Sequence, residues 1–219
     1  MISVCPSTNP SPEDKLIDYV KELQSLGVEI LHCDVMDGNF VPAKCLDLGL
    51  LKEVAMNTLM ALDVHLMVAL PLGKLDSYLK LPVSYLTVHY EAMQNEKELF
   101  RAIEKIQSAG KLAGISIKPQ TDISKIEKYL ELVDLVLVMT VEPGKSGQKF
   151  MPECLTKIKE LDALKKEKGL NFKIEVDGGI NSETAKQVVS AGAEMLVMGN
   201  ALYTASDKKK LINEIEGLK

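Results

Sequence analysis

Several features that mark specialised classes of protein are scarce or absent in this sequence. The four cysteines, Cys5, Cys33, Cys45 and Cys154, form no Cys-x-x-Cys pair and lack the spacing of a disulfide framework, which indicates reduced thiols in a cytoplasmic protein. No apolar run approaches the ~18 residues that a membrane-spanning helix needs. No charged segment followed by an apolar one precedes Cys5, so we expect neither a membrane span nor a secretory signal.

Basic clusters are absent as well. The net charge is -5 and no long run of lysine or arginine occurs, so nucleic acid is not an expected partner. What is present is an ordinary globular composition, with 219 residues of which 46% are hydrophobic and 26% are charged. A chain of this size has room for an ample core, since it buries roughly 70% of the surface that its unfolded form exposes.

Strands and helices are predicted to alternate along the whole chain. Apolar runs predict strands at 2–5, 30–34, 59–67, 85–89, 112–117, 135–139, 173–177 and 195–197. Periodic apolar residues and capping signals predict helices at 11–26, 47–57, 73–80, 97–109, 123–130, 154–168, 182–191 and from 207 onward. Eight strand-helix units without a linker predict one α/β domain, residues 1–219, folded as a (β/α)8 TIM barrel. A doubly wound open sheet is the alternative that the same alternation permits.

Histidine or aspartate ends several of the predicted strands. His32 and Asp34 lie two residues apart and therefore share one face of their strand, while His65 and Asp177 end two others. The ends of barrel strands surround one mouth, so we expect these four side chains to converge there as metal ligands. Nitrogen and oxygen donors without a thiolate suit one divalent ion and leave Zn2+, Fe2+, Mn2+ and Co2+ open.

Three further polar residues near these strand ends are expected to have supporting roles. Asp63 precedes His65 by two residues, on the same face but deeper in the strand. His89 and Glu91 end the fourth predicted strand, where a structural role is favoured.

Methionines and glycines complete the predicted mouth. Met36, Met67 and Met139 lie at matching points of three strands, where they either fill the core or wall a dry pocket. Glycine lets backbone N–H groups approach an anion closely, and loops after the late strands of a barrel often bind phosphate. We therefore expect a phosphorylated substrate to contact the loop residues Gly144, Lys145, Ser146, Gly147, Gly178, Gly179, Gly199 and Asn200.

Five ordered segments together resemble the sequence signature of the ribulose-phosphate 3-epimerase family. They are His32-Cys33-Asp34-Val35-Met36-Asp37-Gly38-Asn39-Phe40-Val41-Pro42, Asp63-Val64-His65-Leu66-Met67-Val68, Val88-His89-Tyr90-Glu91-Ala92, Val138-Met139-Thr140-Val141 and Glu175-Val176-Asp177-Gly178-Gly179-Ile180. The similarity extends from the first predicted strand to the eighth, so it covers nearly the whole chain.

The resemblance implies a metal-dependent isomerase of carbohydrate metabolism. One divalent ion would be held by His32, Asp34, His65 and Asp177. Asp34 and Asp177 would interconvert D-ribulose 5-phosphate and D-xylulose 5-phosphate by two-base proton transfer at C3 through a metal-stabilised enediolate. Substrate contacts are implied for Ser3, for His65 and for the three methionines. The family is often dimeric or hexameric, so a homo-oligomer is expected.

Several positions depart from the family pattern without touching the metal ligands: Ala43, Lys118, Glu142, Lys145, Ser146 and Asn200. Because they lie in the substrate shell, a 3-epimerase of a phosphorylated hexulose such as D-allulose 6-phosphate is the alternative. A barrel decarboxylase or aldol-type lyase with an Asp-x-Lys motif is disfavoured, since Met36 stands at the lysine position. A non-catalytic phosphate-binding protein would have no use for four converging ligands.

Overall fold

The computed structural model describes residues 2–218, which contain nine strands and eight α-helices. The strands are β1 (Ser3–Pro6), β2 (Ile30–Asp37), β3 (Lys44–Cys45), β4 (Ala61–Met67), β5 (Tyr85–His89), β6 (Leu112–Ile117), β7 (Leu135–Met139), β8 (Lys173–Asp177) and β9 (Met195–Met198). The helices are α1 (Leu16–Ser25), α2 (Leu48–Met56), α3 (Leu75–Leu79), α4 (Glu96–Ser108), α5 (Leu155–Lys168), α6 (Ser182–Ala191), α7 (Asn200–Tyr203) and α8 (Lys208–Glu216). None of these helices has the length and apolarity required to cross a lipid bilayer.

The strands form one curled sheet in the order β1-β9-β8-β7-β6-β5-β4-β2-β3. Neighbouring strands are parallel except β3, which pairs antiparallel with β2. Just beyond β1, Ser7 makes a parallel bridge to His32 of β2, and the Thr8 amide donates to the His32 carbonyl at 2.9 Å. The predicted α/β class is therefore confirmed, and the sheet bends far enough for its first strand to contact β2.

The sheet is buried on both faces. In β7, Val136 and Val138 belong to the large apolar cluster that also contains the buried side chains of the helices. Leu135, one position away, instead packs with Cys5 and Val197 in a separate cluster. Because successive side chains of a strand point to opposite faces, this alternation gives an apolar interior on one face and a helix-covered core on the other. Polar groups at the strand ends are thereby held at the rim.

The segment 123–130 departs from the predicted α-helix. It forms two short 3-10 turns, Ile123–Lys125 and Glu127–Tyr129. Its buried side chains are Ile123, Ile126, Tyr129 and Leu130. A 3-10 helix has about three residues per turn, so the spacing of the first three puts them on one face, whereas an α-helix would spread them.

The segment after β2 also differs from the prediction. The strand continues to Asp37, and β3 pairs with its last residues through Met36–Cys45 and Asp37–Lys44. A strand of two residues has no alternation that a sequence pattern could reveal. The predicted helix at 73–80 is shorter in the structure, where α3 covers Leu75–Leu79.

Candidate metal centre and active site

The four predicted ligands meet at one edge of the sheet. Asp34 of β2 pairs in register with His65 of β4, and His32 lies two residues before Asp34. Asp177 is the last residue of β8. One donor atom from each of the four side chains lies within 4.8 Å of the donor atoms of the other three. Strand register brings Asp34 and His65 together, and the curl of the sheet brings Asp177 of β8 to the same place.

Asp34 lies at the centre of this cluster. Its Oδ1 is 3.2 Å from His32 Nε2 and 3.2 Å from His65 Nδ1. Its Oδ2 accepts a hydrogen bond from Ser7 Oγ at 2.8 Å. Burial by itself raises the pKa of Asp34, but the two histidines, His32 foremost, lower this pKa well below its usual range. Both carboxylate oxygens are therefore held in fixed directions and carry negative charge.

Asp177 completes the donor set and provides the test of whether a cation fits. Burial, followed by the negative charge of Asp34, raises the pKa of Asp177 to about 7. Two carboxylates this close repel each other, and a divalent cation shared between them would remove that repulsion. Two imidazoles and two carboxylates without a thiolate are also the donors that Zn2+, Mn2+ and Fe2+ accept. The four residues could therefore bind a divalent metal ion.

His32 is held from the interior of the sheet by a carboxylate. Its Nδ1 is 2.6 Å from Asp63 Oδ2 and 3.6 Å from Glu175 Oε1, and all three side chains are fully buried. Because Nδ1 donates to Asp63, His32 Nε2 is the nitrogen directed at Asp34 and the candidate ion. Burial and the charge of Asp63 raise the pKa of Glu175, which favours its neutral form. Asp63 thus lies where a supporting group was expected.

His65 is held by a second histidine. Its Nε2 is 2.9 Å from His89 Nε2, and His89 Nδ1 is 3.0 Å from Glu91 Oε2. Burial lowers the pKa of His65, and it lowers that of His89 to about 4, so both imidazoles are neutral near pH 7. Burial alone raises the pKa of Glu91, but hydrogen bonds, first of all from His89, bring it down to about 2. The sequence suggested only a structural role for His89 and Glu91, and the contact with His65 was missed.

A cavity of about 420 Å³ has Asp34 and Asp177 in its wall. The three methionines singled out in the sequence, Met36, Met67 and Met139, line it as well. Each of these methionines is nearly fully buried, with no more than 6% of its surface exposed. Of the two interpretations left open by the sequence, the structure favours a wall of an apolar pocket over generic filling of the core.

All eight of the predicted loop residues line the same cavity: Gly144, Lys145, Ser146, Gly147, Gly178, Gly179, Gly199 and Asn200. At Gly179 the backbone has φ +68°, and an added Cβ would lie 2.5 Å from the Phe150 backbone nitrogen, so only glycine fits there. Gln148 closes the loop after β7, because its Nε2 donates to the carbonyls of Glu142 and Lys145 at 2.6 and 2.8 Å. The cavity thus combines a rim of backbone with the ligand cluster.

Ser3, the predicted substrate contact, does not line this cavity. It begins β1, at the end of the strand away from the ligand cluster. Ser7 lies just beyond the other end of β1, lines the cavity and donates to Asp34. Ser7, and not Ser3, is therefore the serine that β1 brings to the candidate site. The signal was present in the sequence, since Ser7 follows a strand end as the other cavity residues do.

Four of the positions that depart from the family pattern line the cavity: Glu142, Lys145, Ser146 and Asn200. Lys118 and Ala43 are outside its wall. The Lys118 ammonium lies 4.4 Å from the centre of the Phe40 ring, and that ring is 4.8 Å from the ring of His89. Ala43 packs beside the cluster of Met36, Val41 and Met67.

Comparison with known proteins gives matches along the whole chain. Residues 3–203 match the model of the family described as Ribulose-phosphate 3 epimerase family. The chain is 42% identical over 220 residues to Ribulose-phosphate 3-epimerase of Bacillus subtilis (strain 168), covering 100% of both chains. It is 38% identical over 218 residues to the chloroplastic Ribulose-5-phosphate-3-epimerase of Arabidopsis thaliana, covering 100% of this chain and 77% of that one.

Solved structures with a similar fold have low sequence identity. The 3-hexulose-6-phosphate synthase of Salmonella typhimurium superposes with a TM-score of 0.70 at 16% identity, over 98% of this chain and 97% of that one. The orotidine 5'-phosphate decarboxylase of Pyrococcus horikoshii OT3 gives a TM-score of 0.66 at 13% identity, over 97% of each chain. These two likenesses concern the fold, which is TIM-barrel-like. The family match and the identity over the full length show that this chain belongs to the ribulose-phosphate 3-epimerase family.

Proposed function

We propose that this chain is a ribulose-phosphate 3-epimerase, an isomerase that uses a divalent metal ion to interconvert D-ribulose 5-phosphate and D-xylulose 5-phosphate. The observation that carries the proposal is the meeting of Asp34 and Asp177 in one ligand cluster, although their strands are not neighbours in the sheet. Inversion at C3 requires a proton to leave one face of the carbon and another to arrive on the opposite face. Two separate carboxyl groups can do this, whereas a single base would regenerate the starting isomer.

His32, His65, Asp34 and Asp177 would hold the metal ion. When bound, it polarises the ketose carbonyl and so makes the proton on the neighbouring C3 more acidic. The chain prepares the site by fixing both histidines from behind, through Asp63 and through His89. Such supports keep ligand nitrogens in place and raise their basicity.

Proton transfer is assigned to the two aspartates by resemblance to the family. With D-ribulose 5-phosphate as substrate, Asp34 takes the proton from C3 and Asp177 delivers one to the other face. The roles exchange in the reverse direction. Ser7 holds Asp34 Oδ2 at 2.8 Å and thereby fixes the plane of that carboxylate. Met36, Met67 and Met139 provide an apolar wall that limits access of water to the reacting carbon.

The substrate phosphate is assigned to the loops after β7, β8 and β9. Their glycines let backbone N–H groups approach an anion, and Lys145 adds a positive charge at the cavity wall. The curated relatives described above carry names that refer to ribulose phosphates, so a pentose substrate is favoured over the phosphorylated hexulose. A lyase that needs a lysine after Asp34 is disfavoured, because the apolar Met36 lines the cavity instead.

We further infer a closed (β/α)8 barrel in a single domain, and a homo-oligomer. The bridge between Ser7 and His32, with the hydrogen bond from Thr8, supports closure between β1 and β2. Met56 and Leu59 expose 72% and 94% of their surface and would be better covered in an assembly. The mass of the particle in solution, measured by light scattering, tests the oligomeric state.

Incubation in heavy water tests the reaction and the substrate together. The protein is loaded with Zn2+ and mixed with D-ribulose 5-phosphate, and C3 is followed by NMR. We expect deuterium to enter C3 while D-xylulose 5-phosphate accumulates. The same experiment with D-allulose 6-phosphate provides the comparison with the hexulose alternative. Absence of exchange at C3 in both sugars would rule out the epimerase assignment.

A further inference from the structure

The two buried histidines His65 and His89 face each other through like atoms. Their Nε2 atoms are 2.9 Å apart, and neither side chain has any exposed surface. A contact of this length between two ring nitrogens is a hydrogen bond only if one nitrogen carries a proton and the other presents its lone pair. The question is therefore which of the two histidines donates.

The opposite end of each ring decides which tautomer fits. His65 Nδ1 points into the ligand cluster, 3.2 Å from Asp34 Oδ1, and must be unprotonated if it is to bind a cation. A neutral imidazole has one proton, so that of His65 is then on Nε2 and is donated to His89. His89 must accept on Nε2 and so carries its own proton on Nδ1, which faces Glu91 Oε2 at 3.0 Å.

Glu91 is fixed in the acceptor orientation by its other oxygen. Its Oε1 accepts from the Lys118 backbone N–H at 2.7 Å and from the Thr121 hydroxyl. The ring of Phe40 lies 4.8 Å from that of His89 and covers it from the loop after β2. The carboxylate thus presents a lone pair to His89, while the donors from the loop after β6 prevent it from turning away.

We propose that His89 and Glu91 are positioning residues, which set the tautomer of His65 so that its Nδ1 lone pair is directed at the metal ion. The chain of hydrogen bonds runs from Glu91 through His89 to His65, with each ring donating on the side nearer the carboxylate. Neither residue lines the cavity. The proposal rests on the proposed function in that it requires a cation in the four-residue cluster.

Nitrogen-15 NMR of the Zn2+-loaded protein tests this arrangement directly. The chain contains only three histidines, so each imidazole gives a resolvable set of signals. We expect a proton on Nε2 of His65 and on Nδ1 of His89. A proton on Nδ1 of His65, or protons on both nitrogens of His89, would overturn the proposal. The NMR experiment does not measure turnover. The tautomer prediction can therefore fail while the heavy-water exchange experiment succeeds, and the reverse is equally possible.

The variant Glu91→Gln makes the same test through metal affinity. If the carboxamide oxygen keeps the Lys118 and Thr121 donors, its NH2 group faces His89 Nδ1 and forces a proton onto His89 Nε2. Two N–H groups then oppose each other between His89 and His65. We expect the Zn2+ dissociation constant, measured by competition with a chelator, to rise by ~10–100-fold, the range found for such supports.

The matched control is Glu127→Gln, which makes the same chemical change at a half-buried residue paired with Lys168 outside the candidate site. It is expected to leave the Zn2+ affinity and all three tautomers unchanged. Thermal unfolding of both variants shows whether Glu91→Gln is folded, and the measurement on the unmodified protein stands if it is not. Unchanged affinity and unchanged His89 tautomer in folded Glu91→Gln would contradict the proposal.

Discussion

The two histidines of the candidate metal centre are supported in different ways. His32 is backed by Asp63, a carboxylate on the neighbouring strand, at 2.6 Å and entirely within the sheet. His65 is backed by another imidazole, that of His89. The carboxylate on that side, Glu91, contacts His89 and reaches His65 only through it. The support of His32 is thus a single contact with a charged group. The support of His65 is a series of hydrogen bonds that leaves the sheet and ends in the loop after β6.

This difference indicates how each support is maintained. The contact of His32 with Asp63 is set by strand register, since the two residues are direct partners between β2 and β4. This contact would be lost only if the pairing of β2 with β4 shifted. The support of His65 depends on where the loop after β6 presents its donors to Glu91. Metal affinity should therefore be fixed on the His32 side and adjustable from outside the sheet on the His65 side.

The largest effect is expected from Asp34→Asn, because Asp34 contacts both histidines. Asp177→Asn removes the second acid/base group without breaking either support. Both variants should lose turnover of D-ribulose 5-phosphate by about 10²–10⁴-fold, the usual worth of a general acid or base. Both variants remove a charged ligand and should weaken Zn2+ binding, and Asp34→Asn should weaken it more because it also releases the histidines from their shared partner. Steady-state rates and chelator competition measure the two quantities.

Asp76→Asn serves as the control for both aspartate variants, since Asp76 is exposed and pairs with Lys105 on the surface. Epimerisation at the unmodified rate by both Asp34→Asn and Asp177→Asn would show that other groups transfer the protons. Equal loss of Zn2+ affinity in the two variants would remove the distinction between the shared and the separate carboxylate.

The next effect in size is expected from Asp63→Asn, which acts on the His32 side alone. A carboxamide can present its NH2 group to His32 Nδ1 and move the ring proton to Nε2, where the ion should bind. We expect the Zn2+ dissociation constant to rise towards the upper end of ~10–100-fold, because the lost support is charged and in direct contact. Chelator competition measures it, with Asp76→Asn again as control. A smaller rise than in Glu91→Gln would reverse the proposed ranking of the two supports.

Much of the fold and of the ligand cluster could be predicted because both follow from local patterns. Strand alternation identified the eight parallel strands, and strand ends in a parallel sheet meet at one edge. Asp34, His65 and Asp177 could thus be grouped without knowing their distances. The pairing of His65 with His89 could not be predicted, because it depends on the rotation of two rings. Ser3 was predicted to contact the substrate, but it begins β1 and does not line the cavity. The sequence pattern of so short a strand leaves the position of its end ambiguous by several residues.

The smallest effect is expected from Lys157→Met, which acts on the far end of the His65 support. Lys157 of α5 donates its ammonium protons to three backbone carbonyls of the loop after β6. Its Nζ lies 3.4 Å from the Lys118 carbonyl oxygen and 2.5 Å from that of Pro119, and it also contacts that of Thr121. Without these Lys157 contacts the loop after β6 would be less rigid. The hydrogen bonds that link the loop through Glu91 and His89 to His65 could all still form. We therefore expect Zn2+ affinity to fall by less than the ~10-fold that loss of a direct support costs.

Hydrogen exchange provides the more sensitive measurement for this variant. The Lys118 amide, which donates to Glu91 at 2.7 Å, should exchange faster in Lys157→Met, whereas the amides of β2 should not. Lys159→Met, at an exposed position of the same helix, controls for loss of a positive charge on α5. Faster exchange in β2 as well would mean that the Lys157 contacts stabilise the sheet as a whole, and the two histidine supports would then not be separable. Faster exchange confined to the loop, with a small loss of affinity, would place the adjustable end of the metal centre on α5, outside the sheet that fixes His32.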